Sequence, residues 1–175
     1  MPTFRRATAA NSSALAEIAR ATFEFACPPG TTREDIDDFI ATVLSVSNFD
    51  GYLADPDRDL LLAEVDGVPV GYTMLIHGEP ADPAVGKAVF GRPTVELSKF
   101  YLAQSQQGSG IAKQLMEATM DVAAERKPVT AWLGVNQQNA RAIRFYEKSR
   151  FGMVGVKTFT VGSVVHDDFI FERRF

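Results

Sequence analysis

The joint in TVELSKFYLAQSQQGSGIAKQLM, where a strand hands over to a helix, restricts the fold of this chain more than any other stretch. Thr94 to Ala103 alternates with the period of a strand, which puts Glu96, Ser98, Phe100 and Leu102 on one face. From Ile111 the spacing of Ile111, Leu115, Ala118 and Val122 is that of a helix, predicted to run to about Arg126 before Pro128 ends it. A strand feeding a helix in this way belongs to a layered structure in which helices cover a sheet. The helix start also carries free N–H groups and the positive end of the helix dipole, a ready anion site that bulky side chains would obstruct. Gly108 and Gly110 let the backbone approach a phosphate, and Ser109 and Ala112 keep the surface low. The competing reading is that the glycines only make a sharp turn.

The rest of the chain fits the same layering. TFRRA reads as a strand, and Asn11 or Ser12 caps a helix with Leu15, Ile18, Ala19, Thr22 and Phe23 on one side. ACPPGTT breaks it. Thr31 and Glu34 have capping-box spacing before a second amphipathic helix carrying Ile36, Phe39, Ile40, Val43 and Leu44. RDLLLAEVDGVPVGYTMLI predicts a hairpin turning at Asp66-Gly67, and HGEPADPAVGKAVFGRP a loop. VTAWLGV is a strand, Asn139 opens a helix through ARAIRFYEKS, and FGMVGVKTF and HDDFIFERRF supply two closing strands. No linker or repeat interrupts residues 1–175, so one mixed α/β domain is expected.

Composition narrows the function classes. No window reaches the roughly 20 apolar residues of a membrane span, and the start lacks the apolar run of a secretory signal, so a cytoplasmic protein without a membrane partner is expected. The lone Cys27 suits a reducing compartment, and the absence of CxxC and HExxH spacings predicts no metal. A net charge of −4 disfavours a nucleic-acid partner and is compatible with a cationic substrate. P-loop, dinucleotide-fold and nucleophile-elbow spacings do not occur around the glycines.

Gln107-Gly108-Ser109-Gly110-Ile111-Ala112 resembles the Gln/Arg-x-x-Gly-x-Gly/Ala signature of the GNAT superfamily of N-acetyltransferases. Downstream, NARAIRFYEKSRF is similar to that superfamily's Asn-x-x-Ala-x-x-Phe-Tyr-Glu-Lys-x-Gly-Phe segment, with Arg150 in place of glycine. The resemblance covers the chain in element order and implies a mostly antiparallel sheet of about seven strands, flanked by about four helices and splayed at the acetyl-CoA site. It further implies that Phe100, Tyr101 and Leu102 run beside the pantetheine arm of acetyl-CoA, a strand amide near Leu102 meeting the thioester oxygen. Gln107, Gly108, Ser109, Gly110, Ile111, Ala112 and Lys113 would hold the pyrophosphate, and Asn139 and Tyr146 would also contact the cofactor. ATFEFA, GYTMLI and the tail GVKTFTVGSVVHDDFIFERRF are similar to the PaiA-type polyamine acetyltransferase branch, which implies an acceptor such as spermidine.

The chemistry assigns roles independently. A primary amine of pKa about 10.4 must lose a proton to attack a thioester, and Glu96 on the cofactor strand is the candidate base. Its alternatives are a water relay, a solvated carboxylate or half of an ion pair. The departing thiolate, of thiol pKa about 8.5, takes a proton or a hydrogen bond from a group such as Tyr146, which otherwise only packs the helix on the sheet. Asn139 serves equally as a helix cap. Glu34, Asp35 and Asp38, with Asp37, steer a polyamine or form a solvated helix face. Glu24, Asp167 and Asp168 are further acidic candidates; Phe23, Phe25 and Trp132 line a pocket or fill the core. A small-molecule amine, a protein or peptide acceptor, and a coenzyme A binding module without catalysis remain distinct readings. A homodimer through exposed sheet edges is left open.

Overall fold

The computed structural model describes residues 1–175. Its centre is one seven-stranded sheet in the order β1-β2-β3-β4-β5-β7-β6. The strands are β1 (Pro2–Arg6), β2 (Arg58–Val65), β3 (Val68–His77), β4 (Thr94–Leu102), β5 (Thr130–Asn136), β6 (Gly152–Val161) and β7 (Val164–Arg174). All neighbours run antiparallel except β4 and β5, which are parallel over only Thr94–Glu96 against Thr130–Trp132 and then part. Six α-helices cover the sheet: α1 (Ser12–Ala26), α2 (Arg33–Val43), α3 (Val46–Ala54), α4 (Pro83–Ala88), α5 (Ile111–Ala124) and α6 (Ala140–Lys148). This is the mixed, mostly antiparallel architecture expected, with α3 and the short α4 in addition to the four helices. No helix is long and apolar enough to cross a membrane.

Two apolar layers sandwich the sheet. Leu15, Ile18, Phe23, Ile40 and Phe49 pack with Leu60, Leu62, Tyr72 and Met74 on one face. Met116, Met120 and Ala123 of α5 pack with Leu75, Leu97, Ala131, Leu133 and Phe171 on the other. The α1 side chains predicted to face inward, Leu15 to Phe23, are all buried. In α5 the buried side chains are Ile111, Leu115, Met116, Thr119, Met120 and Ala123, so the predicted stripe through Ala118 and Val122 lies one residue off. Thr119 decides the rotation, because its hydroxyl meets that of Thr73 on β3 at 3.0 Å inside the core.

Thr32, not Thr31, caps α2: its side chain accepts from the Asp35 amide, whereas the Thr31 hydroxyl donates to the Pro28 carbonyl at 2.7 Å. The predicted alternation of β4 fails at Ser98. Leu97 pairs with Leu75 and Lys99 with Met74, so Ser98 is an extra residue, a β-bulge. Beyond it the faces exchange. Phe100 joins Leu97 on the α5 side, while Glu96, Lys99 and Tyr101 share the α1 side with Ile76, Met74 and Tyr72. The expectation that Glu96 and Phe100 point the same way is thereby overturned.

Candidate functional site

Where β4 and β5 part, α1, the loop before α5 and α6 close around a cavity of about 310 Å³. Nine of the twelve residues expected to contact the cofactor line it: Phe100, Tyr101, Leu102, Gln107, Gly108, Gly110, Ala112, Asn139 and Tyr146. Three others do not. The Ser109 hydroxyl turns back to donate to the Gln106 carbonyl at 2.6 Å and accept from the Ile111 amide at 3.3 Å. Ile111 is buried beneath the helix start, and the exposed Lys113 ammonium stands 3.7 Å from Glu117.

The loop is built for an anion at its backbone. Gly108 and Gly110 have φ of 79° and 83°, the left-handed region, and Gly110 occupies the position preceding the first turn of α5. Positive φ at two positions in three residues accounts for the glycines, and the same geometry turns amides outward. The N–H groups of Gly108, Gly110, Ala112 and Lys113 have no protein acceptor. Four free donors at the positive end of a fourteen-residue helix suit a pyrophosphate. Arg141 at the cavity wall adds a cation without an ion-pair partner; the sequence reading passed over it, although a basic residue in the first turn after Asn139 was the available signal. Thr22, Phe25 and Ala26 of α1 complete the cavity, and of these only Phe25 was anticipated.

On the α6 wall the Asn139 side chain accepts from the Ala142 amide at 3.0 Å, so its cap role is realised while the residue also faces the cavity. The half-buried Tyr146 ring packs against Phe145, Phe100 and Phe151 with centroids 5.4, 6.4 and 6.1 Å away. Desolvation of its hydroxyl pushes the Tyr146 pKa well above the ordinary phenol value, and the nearby Tyr101 adds to this. Tyr146 therefore holds its proton throughout the physiological range. Tyr101 is pushed up to about 12, first by burial and then by Cys27 and Asp168.

Tyr101 joins this cavity to a second, charged surface on the α1 side of the sheet. Glu96 and Lys99 lie there, half-buried, and neither makes a hydrogen bond or an ion pair within 4.0 Å. Burial raises the Glu96 pKa, and Lys157, Lys99 and Arg58 counter part of that rise. Burial lowers the Lys99 pKa to about 8, with Arg58 acting in the same direction and Glu96 against it. Lys157 Nζ lies 3.9 Å from the Asp168 carboxylate. Lys99 and Lys157 were missed by the sequence reading, since a lone lysine in a strand carries no pattern.

The acidic run of α2 stands apart. Oδ1 of Asp35 accepts from the Ser163 amide at 3.2 Å and ties α2 to the β6–β7 turn, while its Oδ2 is buried without a partner. Gly162, with φ of 57°, brings that turn so close that any Cβ there would strike Asp35. Asp37 pairs with Arg33 at 2.7 Å, and Glu34 and Asp38 are exposed away from the cavity. Trp132 is core, packed with Val85, Val89 and Ile170, and Phe23 stacks on Phe39 at 4.4 Å.

The position of Glu96 yields a pH prediction. As a base it works only when ionised, so kcat/KM, corrected for the free-amine fraction, should fall with decreasing pH through its raised pKa, above the usual glutamate range. Glu96→Gln should lose that acid limb and roughly 100-fold of kcat/KM at neutral pH. A variant profile that overlays the wild type excludes Glu96 as the base.

Known proteins share this fold. Residues 13–153 match the model of the acetyltransferase (GNAT) family. An uncharacterized N-acetyltransferase of Mycobacterium tuberculosis (strain ATCC 25618 / H37Rv) is 41% identical over 160 residues, covering 91% of this chain and 95% of the relative. The crystal structure of the PaiA N-acetyltransferase from Thermoplasma acidophilum in complex with coenzyme A superimposes over 100% of this chain and 99% of its own, with TM-score 0.78 at 19% identity. A GNAT family acetyltransferase from Elizabethkingia anophelis with acetyl-CoA bound covers 99% and 98%, with TM-score 0.61 at 16% identity. With its glycine loop at a helix start and its parted parallel strands, the chain belongs to the acetyltransferase (GNAT) family, the N-acetyltransferases that draw their acetyl group from acetyl-CoA.

Proposed function

We infer that residues 1–175 act as one acetyltransferase domain that moves an acetyl group from acetyl-CoA directly to a primary amine of a small molecule. The observation that carries this reading is the pair of surfaces meeting at Tyr101: a cavity with four free amides on one side and a half-buried, unpaired Glu96 on the other. The pyrophosphate lies on the amides of Gly108, Gly110, Ala112 and Lys113, and the pantetheine arm follows Phe100 to Leu102. The amine enters from the α1 side. Glu96 accepts its proton, directly or through water, as nitrogen attacks the thioester carbon; the strand amide near Leu102 steadies the developing oxyanion. The carbon–sulfur bond breaks while the Tyr146 hydroxyl donates a hydrogen bond to the departing thiolate; Glu96 passes the amine's proton to solvent, from which the thiolate takes up its own.

Direct transfer is favoured over an acyl-cysteine route because burial, with Glu24 adding to it, pushes the Cys27 thiol up to about 11, which leaves little thiolate. The tail resemblance implies a polyamine such as spermidine as one acceptor. Release of free thiol from acetyl-CoA, followed with a thiol reagent across polyamines, amino acids, aminoglycosides and short peptides, tests the reading. Turnover with single small amines is the expected result; turnover confined to peptides moves the assignment to a protein acetyltransferase, and binding of coenzyme A without release on any amine to a binding module.

A further inference from the structure

The α1 side of the parted strands has a floor of mixed charge that the acetyl-transfer chemistry alone does not require. Gly134, in the middle of β5, is exposed although its neighbours Leu133 and Val135 are buried. A Cβ at Gly134 would come within 2.7 Å of Lys157 Cε and 3.2 Å of the Asp168 carboxylate, so the missing side chain is what lets the Lys157 side chain lie across the sheet. Lys157 and Asp168 are directly paired across β6 and β7, and Asp168 pairs with Asn136 of β5. Their side chains are only 14% and 8% exposed. The next pair outward on the same face is Phe159 and His166. The Phe159 ring lies 5.5 Å from Lys157 Nζ and 6.0 Å from Phe39 of α2, and His166 Nε2 is buried without a partner. On the β4 side, Lys99 Nζ stands 6.0 Å from the Tyr52 ring, with no carboxylate within 4.0 Å.

The charges on this floor are already balanced or in cationic excess. Glu96 lies in the field of Lys157, Lys99 and Arg58; Asp168 faces Lys157. Arg58 alone has its own partner outside the set, Asp55 at 2.9 Å. The exposed acids of α2 that would attract a polycation make no ion pair with Lys99 or Lys157, and Asp37 is held by Arg33. A polyamine entering here sets several ammonium groups against two lysines, with Asp168 engaged by Lys157 at 3.9 Å and Glu96 alone left unpaired to receive them. An amine that brings its own anion relieves the arrangement, because that anion lies against the lysines and frees a carboxylate for the ammonium.

We propose that the acceptor is a small amine bearing a carboxylate or comparable anionic group, which Lys157 and Lys99 receive while Glu96 and Asp168 face the amine end. This narrows the acceptor class and rests on the reading of the chain as an amine acetyltransferase. Lys157 is the specificity-determining residue. It lies against the anion and takes no part in proton transfer.

Matched pairs test it: phenylalanine against phenethylamine, histidine against histamine and lysine against cadaverine, with spermidine alongside, each followed by thiol release from acetyl-CoA. The carboxylate-bearing member of at least one pair should have kcat/KM roughly tenfold or more above its partner and above spermidine. Lys157→Met should erase that preference through KM, so that the ratio of kcat/KM between the carboxylate-bearing amine and its decarboxylated partner falls to about one, and Lys157→Arg should keep it. Coenzyme A binding to each variant by calorimetry confirms a folded protein. A preference for spermidine or for the decarboxylated amines overturns the proposal and leaves amine acetylation standing. Release with none of the amines, with coenzyme A still bound, removes the amine reading itself and this inference with it.

Discussion

Gly110→Asp should abolish coenzyme A binding while leaving the protein folded. At φ of 83° a Cβ at this position meets nothing within 4 Å, so the cost to the fold is left-handed strain of about 1 kcal/mol. The carboxylate, however, stands among the free amides of Gly108, Ala112 and Lys113, where it satisfies donors meant for a phosphate and repels the phosphate itself. Two like charges about 4 Å apart at a protein surface interact by up to about 4 kcal/mol, so affinity should fall roughly 100- to 1,000-fold. Gly110→Ala is the control: it carries the strain without the charge and should bind within about tenfold of wild type. Calorimetry reads both. Wild-type affinity in Gly110→Asp removes the loop from the cofactor site.

Tyr146→Phe is expected to lower kcat by roughly 100- to 1,000-fold with little change in coenzyme A affinity. The ring keeps its contacts with Phe100, Phe145 and Phe151, and the hydroxyl makes no hydrogen bond within the protein whose loss would disturb the fold. What disappears is the donor to the leaving thiolate. Because the Tyr146 pKa is raised, the wild-type donor stays protonated on the alkaline side, and no activity should be lost there through its ionisation. Pre-steady-state measurement of thiol release isolates the step; a rate within twofold of wild type assigns Tyr146 to packing alone.

Much of this site was legible because it is made of backbone. Glycines before a helix announce positive φ and open amides without any knowledge of what packs nearby, and Gly108 and Gly110 behave accordingly. The strands and their succession along the chain followed from alternation and from turn residues such as Asp66-Gly67, both of which have positive φ. The short helices were harder. α3 begins at a reciprocal cap between Ser45 and Asn48, and α4 at Asp82 before Pro83, signals too brief to outweigh their surroundings. The Ser98 bulge left no mark in the sequence, because TVELSKFYL alternates plausibly in either phase and only the opposing register of β3 settles it. It also decided which face Glu96 occupies. Lys99 comes from a strand far in the chain from the β6–β7 hairpin that carries Lys157 and Asp168, and their proximity is a product of topology that local pattern does not encode.

The short contact between β4 and β5 has a consequence for the protein as a material. After Glu96 and Trp132, each strand keeps one flank of N–H and C=O groups without a neighbour, in the middle of the sheet and not at its rim. Proteins ordinarily blunt or cover such flanks, because an unpaired strand recruits other chains. Here one place in an eight-strand arrangement stands vacant, bounded by Phe100 to Leu102 and open to any chain with amides at strand spacing. On the proposed placement of the pantetheine arm, acetyl-CoA acts there as a temporary strand as well as a substrate. A ligand that fills this gap stabilises the folded chain by mass action, so acetyl-CoA should raise the protein's resistance to unfolding as well as feed the reaction.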